Sequence, residues 1–192
     1  ITLTDTSKDG ASLETKEELT INTPEVTPIK DRNIKAGEVL SIKGASFDQI
    51  ASVKFEGATV DAADFKSQSA AEITVAVPAK ATDGTFYVVT KSGIEVPVGN
   101  IITVVPTQLV ATPNPVKNGA ELTITGKDMD LITGIAFPNA ATSELKKVET
   151  TKVTATVPED AQEGDITLSL ANGKTVTVAY TLVKPTVASC DS

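Results

Sequence analysis

The segment LSIKGASFDQIASVKFEGATV, Leu40–Val60, returns in altered form as LTITGKDMDLITGIAFPNA, Leu122–Ala140. The stretch after it does the same: ITVAVPAKATDGTFYVVTKSG, Ile73–Gly93, is answered by VTATVPEDAQEGDITLSLANG, Val153–Gly173. Gly37 pairs with Gly119 and Gly44 with Gly126 at a spacing of 82, whereas Pro78 with Pro158, Gly84 with Gly164 and Gly93 with Gly173 stand 80 apart. The two-residue difference falls between Phe55 and Pro78, where a surface loop absorbs a length change. Units of about 80 residues exceed the roughly 20–50 of solenoid and propeller repeats, and each is large enough to bury a core of its own. The chain therefore reads as tandem domains, at 23–105 and 106–184.

Within each unit the hydrophobic pattern has period two. Leu122-Thr123-Ile124, Val153-Thr154-Ala155-Thr156-Val157, Ile166-Thr167-Leu168-Ser169-Leu170 and Val176-Thr177-Val178 put aliphatic side chains on one face and hydroxyl or small side chains on the other. That alternation is the mark of half-buried antiparallel strands. Gly and Pro interrupt it at short, regular intervals, and Asp61 to Lys66 has room for one helical turn at most. The expected fold is all-β, a tandem of β-sandwiches.

The turns can be read as well. Asn172-Gly173 predicts a type I′ hairpin, and Ser92-Gly93 and Asp9-Gly10 occupy the same place. Pro78 and Pro158 close strands, and Gly44 and Gly126 are expected at a bend directly after one. By the repeat, residues 1–22 resemble the closing hairpin of a preceding unit, and 185–192 the start of a further one, since Lys184-Pro185-Thr186 matches Val105-Pro106-Thr107. The alternative for the first stretch is an extra hairpin of the first unit.

Composition narrows the function. A net charge of −8, with no Lys/Arg cluster denser than Lys146-Lys147, lacks the electrostatic footprint of nucleic-acid binding. No apolar run approaches the roughly 18 residues of a membrane helix. The chain has no histidine and one cysteine, Cys190, so no Ser-His-Asp or Cys-His arrangement can be assembled, and neither an enzyme nor a cofactor is expected. Cys190 cannot form a disulfide within the segment. The densest acidic loops, Asp128-Met129-Asp130 and Glu159-Asp160, lack the regular spacing of a calcium loop and read as solvated turns, so no metal is expected.

Sugar recognition by stacking needs an aromatic platform, and the chain has no Trp and seven other aromatics. Phe47, Phe55, Phe86 and Phe137 fall in phase with buried positions and read as core. Tyr87 is out of phase with Phe86 and should face outward, while Phe65 lies in the variable loop and Tyr180 near a strand end. Tyr87 and Phe65 are the candidate ligand-binding residues.

The order G-x-x-L-x-I-x-G-x-x-F, V-x-F-x-G, I-x-V-x-V-P and then a glycine turn resembles the IPT/TIG class of immunoglobulin-like domains. In the first unit Gly37, Leu40, Ile42, Gly44, Phe47, Val53, Phe55, Gly57, Ile73, Val75, Val77 and Pro78 carry it. The second keeps Gly119, Leu122, Ile124, Gly126, Ile135, Phe137, Val153, Val157 and Pro158, with Met129 for the aromatic and Asn139 for the later glycine. The resemblance implies an E-set type sandwich. Tandem units of this style are similar to those of Bacteroidetes surface glycan-binding lipoproteins, which implies a non-catalytic, monomeric extracellular rod at the outer-membrane surface. The partners so implied are a polysaccharide or an outer-membrane transport protein. Adhesion to a protein partner, or an accessory role beside a secreted enzyme, are the alternatives.

Overall fold

In the computed structural model the described residues are 2–6, 12–16, 23–140 and 142–184. Asp9-Gly10, Cys190 and Pro185-Thr186 lie outside them. Two short strands come first, β1 (Thr2–Thr6) and β2 (Ser12–Lys16), paired antiparallel with Thr4 opposite Glu14.

The first sandwich follows in chain order: β3 (Glu25–Val26), β4 (Arg32–Ile34), β5 (Val39–Ala45), β6 (Ile50–Phe55), β7 (Ala58–Asp61), β8 (Ser67–Gln68), β9 (Glu72–Ala76), β10 (Gly84–Thr90) and β11 (Glu95–Thr103). One sheet has the order β3-β5-β9-β8 and the other β4-β11-β10-β6-β7, with β4 parallel to β11. The second sandwich repeats this plan with β12 (Thr107–Thr112), β13 (Glu121–Lys127), β14 (Ile132–Ala136), β15 (Thr142–Ser143), β16 (Leu145–Val148), β17 (Lys152–Thr156), β18 (Gly164–Leu170) and β19 (Thr175–Tyr180). Its sheets run β12-β13-β17-β16 and β15-β14-β18-β19, and a parallel bridge between Val116 and Leu182 stands where β4 meets β11. Both are immunoglobulin-type sandwiches, with crossed connections between two facing sheets that are antiparallel apart from the β4–β11 pairing and its counterpart bridge. The chain is a tandem of all-β, immunoglobulin-like units.

Each sandwich has its own core. Leu40, Ile42, Phe47, Val53, Ile73, Val75, Phe86 and Val88 are buried in the first. Leu122, Ile124, Met129, Ile135, Val153, Ala155, Ile166 and Leu168 occupy the matching places in the second. The alternation of the sequence is thus the alternation of burial. Phe55 stacks on Phe86 with centroids 5.4 Å apart. Tyr180, uncertain from its strand-end position, is buried at 2% exposure, sits edge-on to Phe137 and donates its hydroxyl to the Gln162 carbonyl at 2.6 Å.

Two turn readings need correction. Asn172 does not have positive φ; only Gly173 does, at 81°, and Gly93 matches it at 83°. The Gly173 N–H donates to Leu170 O and the Leu170 N–H to Lys174 O, which makes a type I turn closed by a left-handed glycine rather than a type I′ turn. The turn therefore asks no left-handed backbone of Asn172; its Oδ1 accepts the Lys174 N–H within the hairpin, and its Nδ2 is left for other partners. Gly44 and Gly126 also do not follow their strands but lie inside β5 and β13. What they supply is space. The Phe47 ring and the Glu25 carbonyl press on Gly44, and a Cβ on Gly126 would stand 2.8 Å from both Met129 Sδ and the Thr107 carbonyl. The G-x-x-F spacing is therefore a packing pair, with a side chain folding back over the glycine three residues before it. Met129, fully buried, does in the second unit what Phe47 does in the first.

The two glycines should differ in their tolerance. Gly44→Ala meets backbone and a rigid ring and should cost about 3 kcal/mol, whereas Gly126→Ala can be partly relieved by the flexible Met129 and should cost about 1–2 kcal/mol. Chemical denaturation of the two variants measures the difference; equal losses would contradict the packing account.

Candidate functional site

Tyr87 lies on the outward face of β10, near the middle of the five-stranded sheet. Its cross-strand neighbours are Lys54 on β6 and Pro97 on β11, where a bulge shifts the register between Phe86 and Tyr87. It is half-buried by them. Lys54 binds Glu95 Oε1 at 2.7 Å, and that hydrogen bond is the main cause holding the lysine above its ordinary pKa. Thr85 donates to Asn100 Oδ1 at 2.6 Å on the same face. The face thus sets one tyrosine ring beside a proline and two polar side-chain pairs. Phe65 lies elsewhere: it follows the 3-10 turn Ala62–Asp64, where the chain crosses between sheets, and packs half-buried against the first core. The two candidate residues do not share a surface.

The most connected polar cluster among the described residues is at the junction of the sandwiches, and the sequence reading did not single it out. Strand β11 ends at Thr103 and β12 starts at Thr107, leaving Val104, Val105 and Pro106 between them. Thr103 is buried, and both its N–H and its hydroxyl donate to Asp83 Oδ1, at 2.7 and 2.8 Å. From the second sandwich, Asn172 Nδ2 donates to the Thr103 hydroxyl at 3.2 Å and to the Ala81 carbonyl at 3.1 Å. The amide is oriented by its own Oδ1, which accepts the Lys174 N–H at 3.1 Å. Lys174 Nζ completes the group, reaching both Asp83 oxygens at 2.7 and 2.9 Å and the Thr103 carbonyl at 3.1 Å.

A second contact runs the other way. Lys35 of the first sandwich reaches Asp128 Oδ1 at 2.9 Å and Asp130 Oδ1 at 2.7 Å. Burial lowers the Lys35 pKa, but the hydrogen bonds it donates to Asp130 and Asp128, with the attraction of their charges, outweigh burial and leave the pKa above the ordinary lysine value. The acidic turn Asp128-Met129-Asp130, read from sequence as solvated, is thus bound to a cation of the other unit. Among the described residues no group of three or more His, Cys, Asp or Glu side chains is placed to hold a metal. Between the two contacts lies a cavity of about 290 Å³, with Val77 and Ala81 on one side and Leu131 and Leu170 on the other.

The arrangement joins the two sandwiches through side chains of both. No protein-family model matches the chain, and no curated protein matches it. Among solved structures it is similar to the surface glycan-binding protein PbSGBP-B from Prevotella bryantii, at 22% identity over 83% of this chain and 42% of that one, TM-score 0.40. It is also similar to SGBP-B of the mixed-linkage glucan utilization locus of Bacteroides ovatus, at 15% identity over 78% and 41%, TM-score 0.33. The I9–I11 tandem of titin matches at 8% identity over 84% and 66%, TM-score 0.32. The chain spans less than half the length of the two bacterial proteins.

Asp83 reports on the junction. The Lys174 hydrogen bond, then the Thr103 N–H, hold its carboxyl down from 3.8 to about 2. A depressed carboxyl contributes its stabilisation above its ordinary value, and that contribution is lost as the pH falls from there through about 2. In a carbon-detected NMR titration Asp83 should titrate near 2, and in Lys174→Ala it should move up toward 3.8 without reaching it, because Thr103 still donates. An unchanged midpoint in the variant would mean that Lys174 does not contact Asp83 in solution.

Proposed function

We propose that the chain is a pair of non-catalytic, extracellular immunoglobulin-like modules of the IPT/TIG kind, spanning 23–105 and 106–184, from a bacterial cell-surface protein that captures polysaccharide. The pair acts as a stiff spacer that holds a glycan-binding domain away from the outer membrane. The observation that carries this reading is the reciprocal junction: Lys174 on Asp83 and Lys35 on Asp128 and Asp130, with Asn172 bound to Thr103 between them. A connection of three residues ending in Pro106, closed from both sides, suits a spacer better than a pair of independent heads. The polysaccharide part of the reading follows the resemblance of the repeated motif to modules of Bacteroidetes glycan-binding lipoproteins, and anchoring through a lipid belongs to the same reading. Any ligand contact made by this segment itself is assigned to Tyr87 and Phe65.

Two measurements test it. In weakly aligned medium, residual dipolar couplings of both sandwiches should fit one alignment tensor, and the Lys35→Ala/Lys174→Ala double variant should need two. Two tensors in the unaltered chain would remove the stiff spacer. In affinity electrophoresis through gels of plant, fungal and host polysaccharides, the unaltered chain should migrate unretarded. Retardation by one polysaccharide, abolished by Tyr87→Ala or Phe65→Ala, would make the segment a glycan receptor in its own right.

A further inference from the structure

The end of the second sandwich away from the junction repeats, bond for bond, the end of the first that forms it. Gly37 N–H donates to Val77 O and Gly119 N–H to Val157 O, both at 2.8 Å; Val104 N–H donates to Ile34 O and Val183 N–H to Val116 O, both at 2.9 Å. Ala81 N–H bonds Pro78 O, and Ala161 N–H bonds Pro158 O. This backbone equivalence places Lys117 where Lys35 stands, Ala161 where Ala81 stands, Leu182 where Thr103 stands and Val183 where Val104 stands. Glu163 takes the place of Asp83 and repeats its backbone contact, accepting the Leu182 N–H at 3.0 Å. At the junction Lys35 and Asp83 are ion-paired with the neighbouring sandwich and Thr103 is buried. At the distal end Lys117 and Glu163 are exposed, Val183 is 42% exposed, and among the described residues neither charged group makes an ion pair.

We infer that this distal end is a docking surface for another immunoglobulin-like module, which would place an acid on Lys117 and a hairpin cation on Glu163. The occupant follows from the junction already formed, because the same backbone frame, presenting one cation and one carboxylate, there receives the Asp128-Met129-Asp130 turn and the Asn172-Gly173-Lys174 hairpin. The side chains that differ refine the partner. Glu159 and Asp160 replace Ala79 and Lys80, so the distal end is the more acidic and favours a hairpin that brings a cation, as Lys174 does. Asn118, in place of Ala36, donates to the Glu159 and Ala161 carbonyls at 2.6 and 3.2 Å, and Leu182 brings no hydroxyl. The distal contact is thus carried by Lys117 and Glu163 more than by side-chain amide bonds. The inference rests on the spacer reading and extends it by one joint.

The test extends the chain at Lys184 with a second copy of 106–184, so that Lys184 takes the place of Val105 in the joint; this removes Cys190 and leaves a cysteine-free background. Spin-label pairs then report each joint separately: Ser52→Cys with Thr125→Cys across the first, and Thr125→Cys with its counterpart in the added copy across the second. The expected result is a narrow distance distribution at both joints. Glu163→Lys should abolish the narrow component at the second joint only, and Lys174→Glu in the added copy should restore it. A narrow first joint with a broad second, or a second joint indifferent to Glu163→Lys, overturns the docking surface and leaves the spacer reading standing. Broad distributions at both joints overturn the two together.

Discussion

The hydroxyl of Thr103 is shared between two bodies: it donates to Asp83 within its own sandwich and accepts from Asn172 of the next. The hydroxyl of a residue that is 5% exposed needs such partners, since a buried donor left unsatisfied costs about 1–3 kcal/mol. The arrangement of the junction follows from meeting that need from both sides. Asp83 is fixed by the N–H and hydroxyl of Thr103, and a fixed carboxylate can meet Lys174 with both oxygens. The hairpin carrying Lys174 is in turn aligned by the bond from Lys174 N–H to Asn172 Oδ1. Each group is ordered by another whose partners are already satisfied, so the contact forms with little further loss of side-chain freedom.

None of these pairs is strong alone. The side chains of Asp83, Lys174, Lys35 and Asp130 keep from a quarter to nearly half of their exposure, and ion pairs of that kind contribute about 0–1 kcal/mol each and weaken in salt. What makes them sufficient is the connection. A linker of three residues holds the two surfaces at a high effective concentration, so most of the translational entropy that a bimolecular contact would lose is already lost. A few tenths of a kcal/mol from each of several polar contacts, together with the apolar walls around Val77 and Leu131, then decide between a hinged and a fixed pair.

Much of the fold was legible because burial in a sandwich has the period of a strand. Phe55 and Phe86 in the first unit, and Leu122, Ile124, Val153, Val157, Ile166 and Leu168 in the second, were assigned inward from alternation and are buried, as are their counterparts in the other unit. The internal repeat added what a single pattern cannot: Met129 could be placed in the core because Phe47 held its position. The junction was not legible for a related reason. Lys35, Asp83, Asp128, Asn172 and Lys174 are each ordinary for a turn or strand end, and their partners are 69 to 95 residues away in sequence. Local reading gave Asn172 to its turn. Because Gly173 alone takes the positive φ, the Asn172 backbone does not require an asparagine, and its Nδ2 is explained by the bonds across the junction. The acidic turn at Asp128 was likewise read through its own residues, when its partner was a lone lysine in the other unit.

The comparison of the two units separates what the fold requires from what the joint requires. Positions that hold the sandwich together change little in character: Gly44 with Gly126, Ile73 with Val153, Val77 with Val157. Positions at the ends keep their backbone bonds and change their chemistry, as Ala79 and Lys80 give way to Glu159 and Asp160, and Ser92 and Ile94 to Asn172 and Lys174. Stability of a module does not ask for such changes, because these side chains lie outside either core. Specificity of neighbour does. If every end carried the same charges, any module could dock on any other, and modules from separate chains would compete with the adjoining one; charges that differ from joint to joint penalise the wrong pairing by leaving a carboxylate or an ammonium facing its like. The divergence at the ends, set against the constancy of the frame, is what a chain needs if its modules are to stack in one order.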